Sequence, residues 1–327
     1  MADTIMALEN KFFNTDCITG APKHIPDNTI DLIITDPPYG INGDSLHKHY
    51  NRDEKFVIDG YVEVPGQNYN QFSLAWIKQA ERVLKPGGSI YIVSGYTNLI
   101  HILNALHRTS LKEINHIIWK YNFGVYTRNK YVSSHYHILY YVKPGKKPTF
   151  NTFCRYSDSE RDAAGHSLNY QDREDVWIIN REYKPGQTKN KNELPIKLLS
   201  KMILYSSNEG DLVCDFFLGS FSTAKVAIGL NRAACGFELN KNAFEHNLKE
   251  TLQLNPGWLL PSLKQPRQLR LFNQGKPWKT GEKNTLIAEY QILKSAGKTK
   301  KAAINELTKK YGRGYFSILN ILKGAGL

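Results

Sequence analysis

Ile30-Asp31-Leu32-Ile33-Ile34-Thr35 runs straight into Asp36-Pro37-Pro38-Tyr39-Gly40. The first six residues are mostly apolar and β-branched, and they read as a buried strand. Two successive prolines end that strand, because neither can donate a ladder hydrogen bond, and they stiffen the turn that follows. A carboxylate, a proline carbonyl and an aromatic ring are thereby held together at a strand's carboxyl end. In open α/β sheets that edge is where ligands bind. The stretch predicts an α/β fold with a site just beyond residue 35.

Such a corner suits the exocyclic amine of a nucleobase, a poor nucleophile because its lone pair is delocalised into the ring. Asp36 and the Pro37 carbonyl can each accept one of its two N–H groups. That localises the lone pair and stabilises the charge developing on nitrogen. Tyr39 can stack on a base turned out of the helix. For these five residues alone, a proline-stiffened turn with a solvated aspartate is the rival reading.

A second motif lies far downstream. Asp211-Leu212-Val213-Cys214-Asp215 reads as another buried strand. It enters Phe216-Phe217-Leu218-Gly219-Ser220-Phe221-Ser222-Thr223-Ala224, with a helix expected from Ser222 to Leu230. Gly219 would let a ligand approach the backbone closely. Ala233 to Phe237 reads as a third strand, ending in the acid Glu238. Strand, glycine loop, helix, strand and acid is the order of a nucleoside-binding βαβ unit, whose terminal acid can hold ribose hydroxyls.

Together these elements resemble the β group of amino-directed DNA methyltransferases that use S-adenosylmethionine, in which the DPPY motif precedes the cofactor loop. The resemblance spans roughly Asn14 to Leu252. It implies a Rossmann-like methyltransferase sheet with helices on both faces. It also implies a site-specific, adenine-specific enzyme that flips a base of duplex DNA and methylates adenine N6 within a restriction-modification system. Family members that act on cytosine N4 more often carry Ser in place of Asp36, so cytosine N4 is the alternative target. A catalytically impaired DNA-binding homologue, or a transferase acting on RNA or a protein amide, are the rivals from other classes. Double-stranded DNA is the implied partner. A cognate restriction endonuclease and a second copy of the chain are further partners the resemblance admits.

Carried over residue by residue, Asp36, Pro37, Pro38 and Tyr39 match the catalytic motif. Asp16, Cys17, Asp36, Asp215, Phe216, Phe217, Gly219, Ser220 and Glu238 match positions around the cofactor, and Pro195 opens a helix beside its methionine end. Trp119-Lys120 resembles the family's W-K pair near the target base, although Trp119 reads equally as a core aromatic. The usual loop D-P-F-x-G-S-G-T-T departs here twice, with Phe216 for the proline and Phe221 for the second glycine. A phenylalanine enters positive φ at a cost, so the loop is expected to bend differently after Gly219. The family's H-P-T-Q-K-P stretch keeps only its last proline, in Asn190-Lys191-Asn192-Glu193-Leu194-Pro195. Both departures bear on cofactor affinity more than on the chemistry.

The 327 residues suffice for one large domain and an addition. No apolar run approaches the ~20 residues a membrane span needs, and Met1-Ala2-Asp3-Thr4 does not look like a signal peptide. Four cysteines without metal-ligand spacing fit a reduced cytoplasmic protein, and no metal is expected. The pairs His47/His49 and His135/His137 lack Cys or acidic neighbours at zinc spacing. The net charge of +13 is uneven: residues 260–327 hold 14 Lys/Arg against 3 Asp/Glu. A basic tail suits a phosphate backbone; a solubilising tail is the rival.

The expected organisation is a catalytic domain over 1–255, a linker over 256–283 and a basic helical unit over 284–327. Phe12–Asp16 and Ile30–Thr35 are expected as a first strand pair, followed by a long loop over 41–72. Further expectations are a helix over Ser73–Leu84 stopped by Lys85-Pro86-Gly87-Gly88, a strand over Ser89–Val93, a helix over Leu99–Arg108 and a strand over Tyr136–Val142. A target-recognition insertion is placed at about 122–191, with Arg128, Lys130, Arg155 and Arg173 as DNA contacts. The tail predicts helices over Asn284–Ser295, Lys298–Tyr311 and Gly314–Lys323, resembling a helix-turn-helix. Its DNA contacts would be Lys298, Lys300, Lys301 and Arg313, and a helical cap on the main domain is the alternative.

Overall fold

The strand that carries Asp36 lies inside an eight-stranded sheet. The computed structural model describes residues 10–40, 64–122, 124, 128–151, 174–181, 193–263, 273, 276–279 and 281–327. The strands are β1 (Lys11–Phe13), β2 (Ile30–Thr35), β3 (Leu84–Ser94), β4 (Lys112–Lys120), β5 (His135–Val142), β6 (Val176–Ile178), β7 (Leu212–Asp215) and β8 (Ala233–Phe237). Their order across the sheet is β1-β8-β7-β2-β3-β5-β4-β6. All neighbours are parallel except that β5 runs antiparallel to both β3 and β4.

Between β7 and β3, β2 is covered on both faces. Leu32 and Ile34 join one hydrophobic layer with α4 (Ile196–Ser206), α5 (Ser222–Gly229) and α6 (Lys241–Leu252). Ile30 and Ile33 join the other with α1 (Cys17–His24), α2 (Tyr69–Val83) and α3 (Leu99–Leu106). A parallel strand buried on both faces has no polar face to alternate with, which explains the nearly unbroken apolar run from Leu32 to Ile34.

Several expectations are corrected. β1 is not the neighbour of β2; it pairs with β8, and both β8 and β7 intervene. Asp16 leaves the strand and caps α1, accepting a hydrogen bond from the Thr19 N–H at 2.9 Å. The helix expected at Ser73 starts at Tyr69, led in by a 3-10 turn over Gly66–Asn68. The Lys85-Pro86-Gly87-Gly88 stop ends α2, but the chain continues at once as β3. β5 and β6, which fall within the expected target-recognition insertion at about 122–191, belong to the central sheet. The loop over 41–63, with His47 and His49, and also Arg155 and Arg173, lie outside the described residues.

The chain divides into two units, Met1–Lys264 and Gln265–Leu327. The expected linker is therefore shared: α7 (Leu260–Leu263) closes the first unit, and residues 276–279 fold into the second. There α8 (Glu282–Ser295), α9 (Lys300–Tyr311) and α10 (Tyr315–Gly324) bury Leu286, Tyr290, Ala303, Ile304, Leu307, Ile318 and Leu322 together. Thr299 caps α9, and Gly312 ends it at φ +59°. Arg313 is buried, which corrects its reading as a DNA contact. It donates to the carbonyls of Lys276 (2.6 Å) and Pro277 (3.0 Å), pairs with Glu282 at 3.1 Å and lies 3.9 Å over the Trp278 ring. Its guanidinium stitches this unit together.

Candidate active site

Strands β2, β7 and β8 end side by side, and their carboxyl edge gathers the acids. The Thr35 hydroxyl donates to Asp215 Oδ1 at 2.9 Å, and the Phe217 N–H donates to the same oxygen at 3.0 Å. Burial pushes the Asp215 carboxyl up to about 6, opposed by hydrogen bonds from Phe217, Thr223 and Thr35. Asp36 stands higher, at about 7: burial raises it most and the charge of Asp215 adds to the rise, while a hydrogen bond from the Tyr39 side chain and the charge of Arg181 hold it down. Asp36 Oδ1 is buried without a hydrogen-bond partner among the described residues. An orphaned buried acceptor is unfavourable by ~1–3 kcal/mol, so this oxygen is poised for an incoming donor.

The turn around Asp36 is held from two helices. Tyr69, at the start of α2, donates its hydroxyl to the Pro38 carbonyl at 2.7 Å. Asn98, before α3, donates its amide to the Tyr39 carbonyl at 2.6 Å. Gly40 has φ +63°, and a Cβ there would come within 2.5 Å of the Tyr69 ring and 2.7 Å of Asn98. Only glycine fits. The Tyr39 ring stacks on Tyr136 with centroids 5.6 Å apart, and Tyr136 lies against Tyr121 at 5.4 Å and Trp119 at 5.6 Å.

The cofactor-type loop is pinned by its own acid. Glu238 accepts from the Gly219 N–H at 2.8 Å and from the Asn240 N–H at 2.7 Å. Burial raises its carboxyl, as does the charge of Asp215. Gly219 takes φ +51°. The expectation that Phe221 avoids positive φ is wrong: it sits at φ +61° at the head of α5. Its ring is fully buried, 5.1 Å from Phe12 and 5.8 Å from Phe244, and that packing holds the backbone in the left-handed region.

The edge thus brings together Cys17, Asp36, Asp215, Phe217, Gly219 and Glu238, with Asp16 next to Cys17. Ser220 is half-buried in the loop, and Pro195 is buried at the head of α4. One candidate is corrected. Phe216 is buried against Trp76 and Phe237, where it fills the core and does not face a ligand. Trp119 is fully buried and donates its ring N–H to the Ile179 carbonyl at 2.8 Å, which is its core reading. Lys120, Arg128 and Lys130 are exposed. Sequence reasoning missed Thr35, Tyr69, Asn98, Tyr136 and Arg181, although Thr35 and Tyr136 sit in strands it expected. Among the described residues no cluster of three or more His, Cys, Asp or Glu can hold a metal.

A cluster of buried carboxylates that repel one another fits a cationic ligand, and a sulfonium is one. The N6/N4 DNA methylase family matches residues 30–249, and the chain belongs to that family. It is 34% identical over 234 residues to the type II methyltransferase M.HpaI of Haemophilus parainfluenzae, covering 69% of either chain. It is 32% identical over 244 residues to the DNA adenine methyltransferase YhdJ of Escherichia coli K12, covering 69% of this chain and 78% of that one. The fold matches that of the M1.HpyAVI–SAM complex with a TM-score of 0.53 at 21% identity, over 75% of this chain and 99% of that one. The protein is a DNA methylase of this family. No helix among the described residues is long and apolar enough to cross a membrane.

Proposed function

We propose that the chain methylates adenine N6 at a specific sequence in duplex DNA. One observation carries this: Asp36 Oδ1, buried and without a partner among the described residues, stands at the head of a turn whose Pro38 and Tyr39 carbonyls are already taken. The Pro37 carbonyl beside it is the second acceptor for an amine. S-adenosylmethionine supplies the methyl group on its sulfonium. Asp36 Oδ1 and the Pro37 carbonyl orient the amine and stabilise positive charge growing on its nitrogen. Tyr39, backed by Tyr136, offers a face for the extruded base. Asp16, Cys17, Pro195, Asp215, Phe217, Gly219, Ser220 and Glu238 surround the cofactor, with Glu238 on the ribose.

A carboxylate at position 36, in place of the serine more common in cytosine-N4 enzymes, and the name of the Escherichia coli relative support adenine. The type II relative supports a restriction-modification role with a cognate endonuclease. A DNA substrate and buried free thiols at Cys17, Cys214 and Cys235 fit a reducing cytoplasm. Lys120, Arg128 and Lys130 would meet DNA beside the site. Lys298, Lys300 and Lys301 would do so in the second unit, whose α9, Gly312-Arg313-Gly314 turn and α10 have helix-turn-helix connectivity. A second copy of the chain is a further partner in this reading.

The test is to express the chain in a host lacking DNA methylation and map modified bases by long-read sequencing. N6-methyladenine confined to one short sequence is expected. N4-methylcytosine would overturn the adenine assignment. Unmodified DNA, with cofactor binding retained in titration, would favour the impaired homologue.

A further inference from the structure

Arg181 has no place in the motifs that mark this family in the sequence, yet it reaches the catalytic corner. The route is structural. The edge strand β6 pairs with β4 in the register Trp119↔Trp177 and Lys120↔Ile178. The Ile179 N–H extends that ladder to the Lys120 carbonyl at 3.1 Å, and the Ile179 carbonyl receives the Trp119 ring N–H at 2.8 Å. Two residues on, the Arg181 guanidinium lies over three aromatic faces: Tyr121 and Tyr136 at 5.3 Å and Trp119 at 5.7 Å from its central carbon. Tyr136 in turn stacks on Tyr39, and Asp36 feels the guanidinium's charge.

We propose that Arg181 is a positioning residue for methyl transfer, a fixed cation on an aromatic platform whose charge favours the ionised form of the Asp36 carboxyl, the form that accepts the amine. The proposal rests on the assignment of Asp36 as the amine acceptor. A charge placed over aromatic rings in a partly desolvated site acts more strongly than one in water. Three groups face Asp36 with opposing effects. Asp215, on β7, opposes its ionisation, while the Tyr39 hydrogen bond and Arg181 favour it. Arg181 is the cation among them. Burial raises the carboxyl, and with the guanidinium in place it stands at about 7. Without the guanidinium more of it would be protonated at neutral pH, and a protonated carboxyl localises an amine lone pair poorly.

The experiment is the pH dependence of kcat/KM for methyl transfer to duplex DNA, which reports the free enzyme's essential groups. It compares wild type with Arg181→Gln, Arg181→Met and Arg181→Lys. Both neutral variants should move the acid limb up by ~1 unit, the low end for a carboxylate losing a neighbouring Arg, and lower the rate at pH 7 by roughly fivefold. Arg181→Lys should restore most of the wild-type limb, which a purely structural role would not predict. Melting temperature and S-adenosylmethionine affinity, read in parallel, should stay near wild type. If one neutral variant fails to fold, the other and the lysine variant still decide the matter. An unmoved limb in a folded neutral variant overturns the proposal, as does a raised KM for DNA with an unchanged profile, which would make Arg181 a DNA contact. If Asp36→Asn keeps the wild-type rate, the underlying assignment of Asp36 fails instead, separately from Arg181.

Discussion

The Thr35 hydroxyl and the Asp215 carboxylate meet at 2.9 Å although they stand 180 residues apart in the chain. This bond joins the strand that ends in Asp36 to the strand that opens the cofactor loop. It ties the proposed catalytic corner to the proposed cofactor edge. Replacing Thr35 with valine keeps shape and removes the donor. It should lower stability by ~0.5–1.5 kcal/mol, the net worth of one hydrogen bond, because the Phe217 N–H still donates to the same oxygen, and it should weaken S-adenosylmethionine binding. Denaturant unfolding and cofactor titration measure both, and an unchanged pair of values would mean the corner and the edge are tied elsewhere.

Asp36→Asn should lower turnover by ~10²–10³ or more, since the group acts where charge develops, while cofactor affinity stays close to wild type. The carboxyl also sets a pH dependence. Its folded value of about 7 lies above the ordinary 3.8, so the fold favours the protonated form. The group is therefore neutral toward stability below about pH 4 and takes stability away progressively as pH rises to about 7. With the Asp36 carboxylate as the proposed acceptor of the amine, methyl transfer should rise over the upper part of the same range. Unfolding of wild type and Asp36→Asn across pH 4–8 should show the variant gaining relative stability as pH rises. A constant difference would place the titration on another group.

Phe221→Gly sets backbone against side chain. Glycine relieves a left-handed φ worth ~1–2 kcal/mol for an L residue, but it empties a fully buried aromatic site, for which Phe→Ala typically loses ~3–5 kcal/mol. The packing loss should win, leaving the variant ~1–4 kcal/mol less stable. A gain in stability would show that the ring does not support the αL conformation.

Removing residues 265–327 deletes 13 Lys/Arg and 3 Asp/Glu, a net +10. The truncated chain should fold and bind S-adenosylmethionine, since Asp36, Asp215, Gly219 and Glu238 lie upstream. Its DNA affinity should fall, and the log–log salt slope should flatten by roughly 0.9 for each phosphate that the shorter chain leaves unneutralised. Affinities measured across a salt series for both chains test this. Equal slopes with a folded truncate would leave the second unit without a role on DNA.

The legible parts of the chain were those in which local pattern and tertiary role coincide. β2 and β7 are apolar runs ended by Pro or Gly, and α8 to α10 show helical spacing with glycine turns. The opaque parts depend on partners far away in sequence. α1 contains Gly20 and Pro22, both poor residues for a helix interior; it is a helix because Asp16 caps it and because Gly20 lets it approach Thr15 and Phe237. β6 is three residues long and becomes a strand only by pairing with β4. Arg313 sits between two glycines like an exposed turn residue, yet it is buried by carbonyls 36 and 37 residues back. Trp119 had two readings, and its ring hydrogen bond to Ile179, 60 residues on, settles it as core.

The strand order also has a consequence for how the protein is made. β2 is translated early, but one of its two neighbours, β7, follows well over a hundred residues later. At the ~5–20 residues per second of protein synthesis, that gap lasts roughly ten to forty seconds. During this time Leu32, Ile33 and Ile34 lack the β7 neighbour, and the DPPY corner has no Asp215 beside it. The nascent chain therefore carries an open, apolar strand edge, which is a natural substrate for chaperones. Thr35 gains its Asp215 partner only when β7 and β8 fill the gap between β1 and β2.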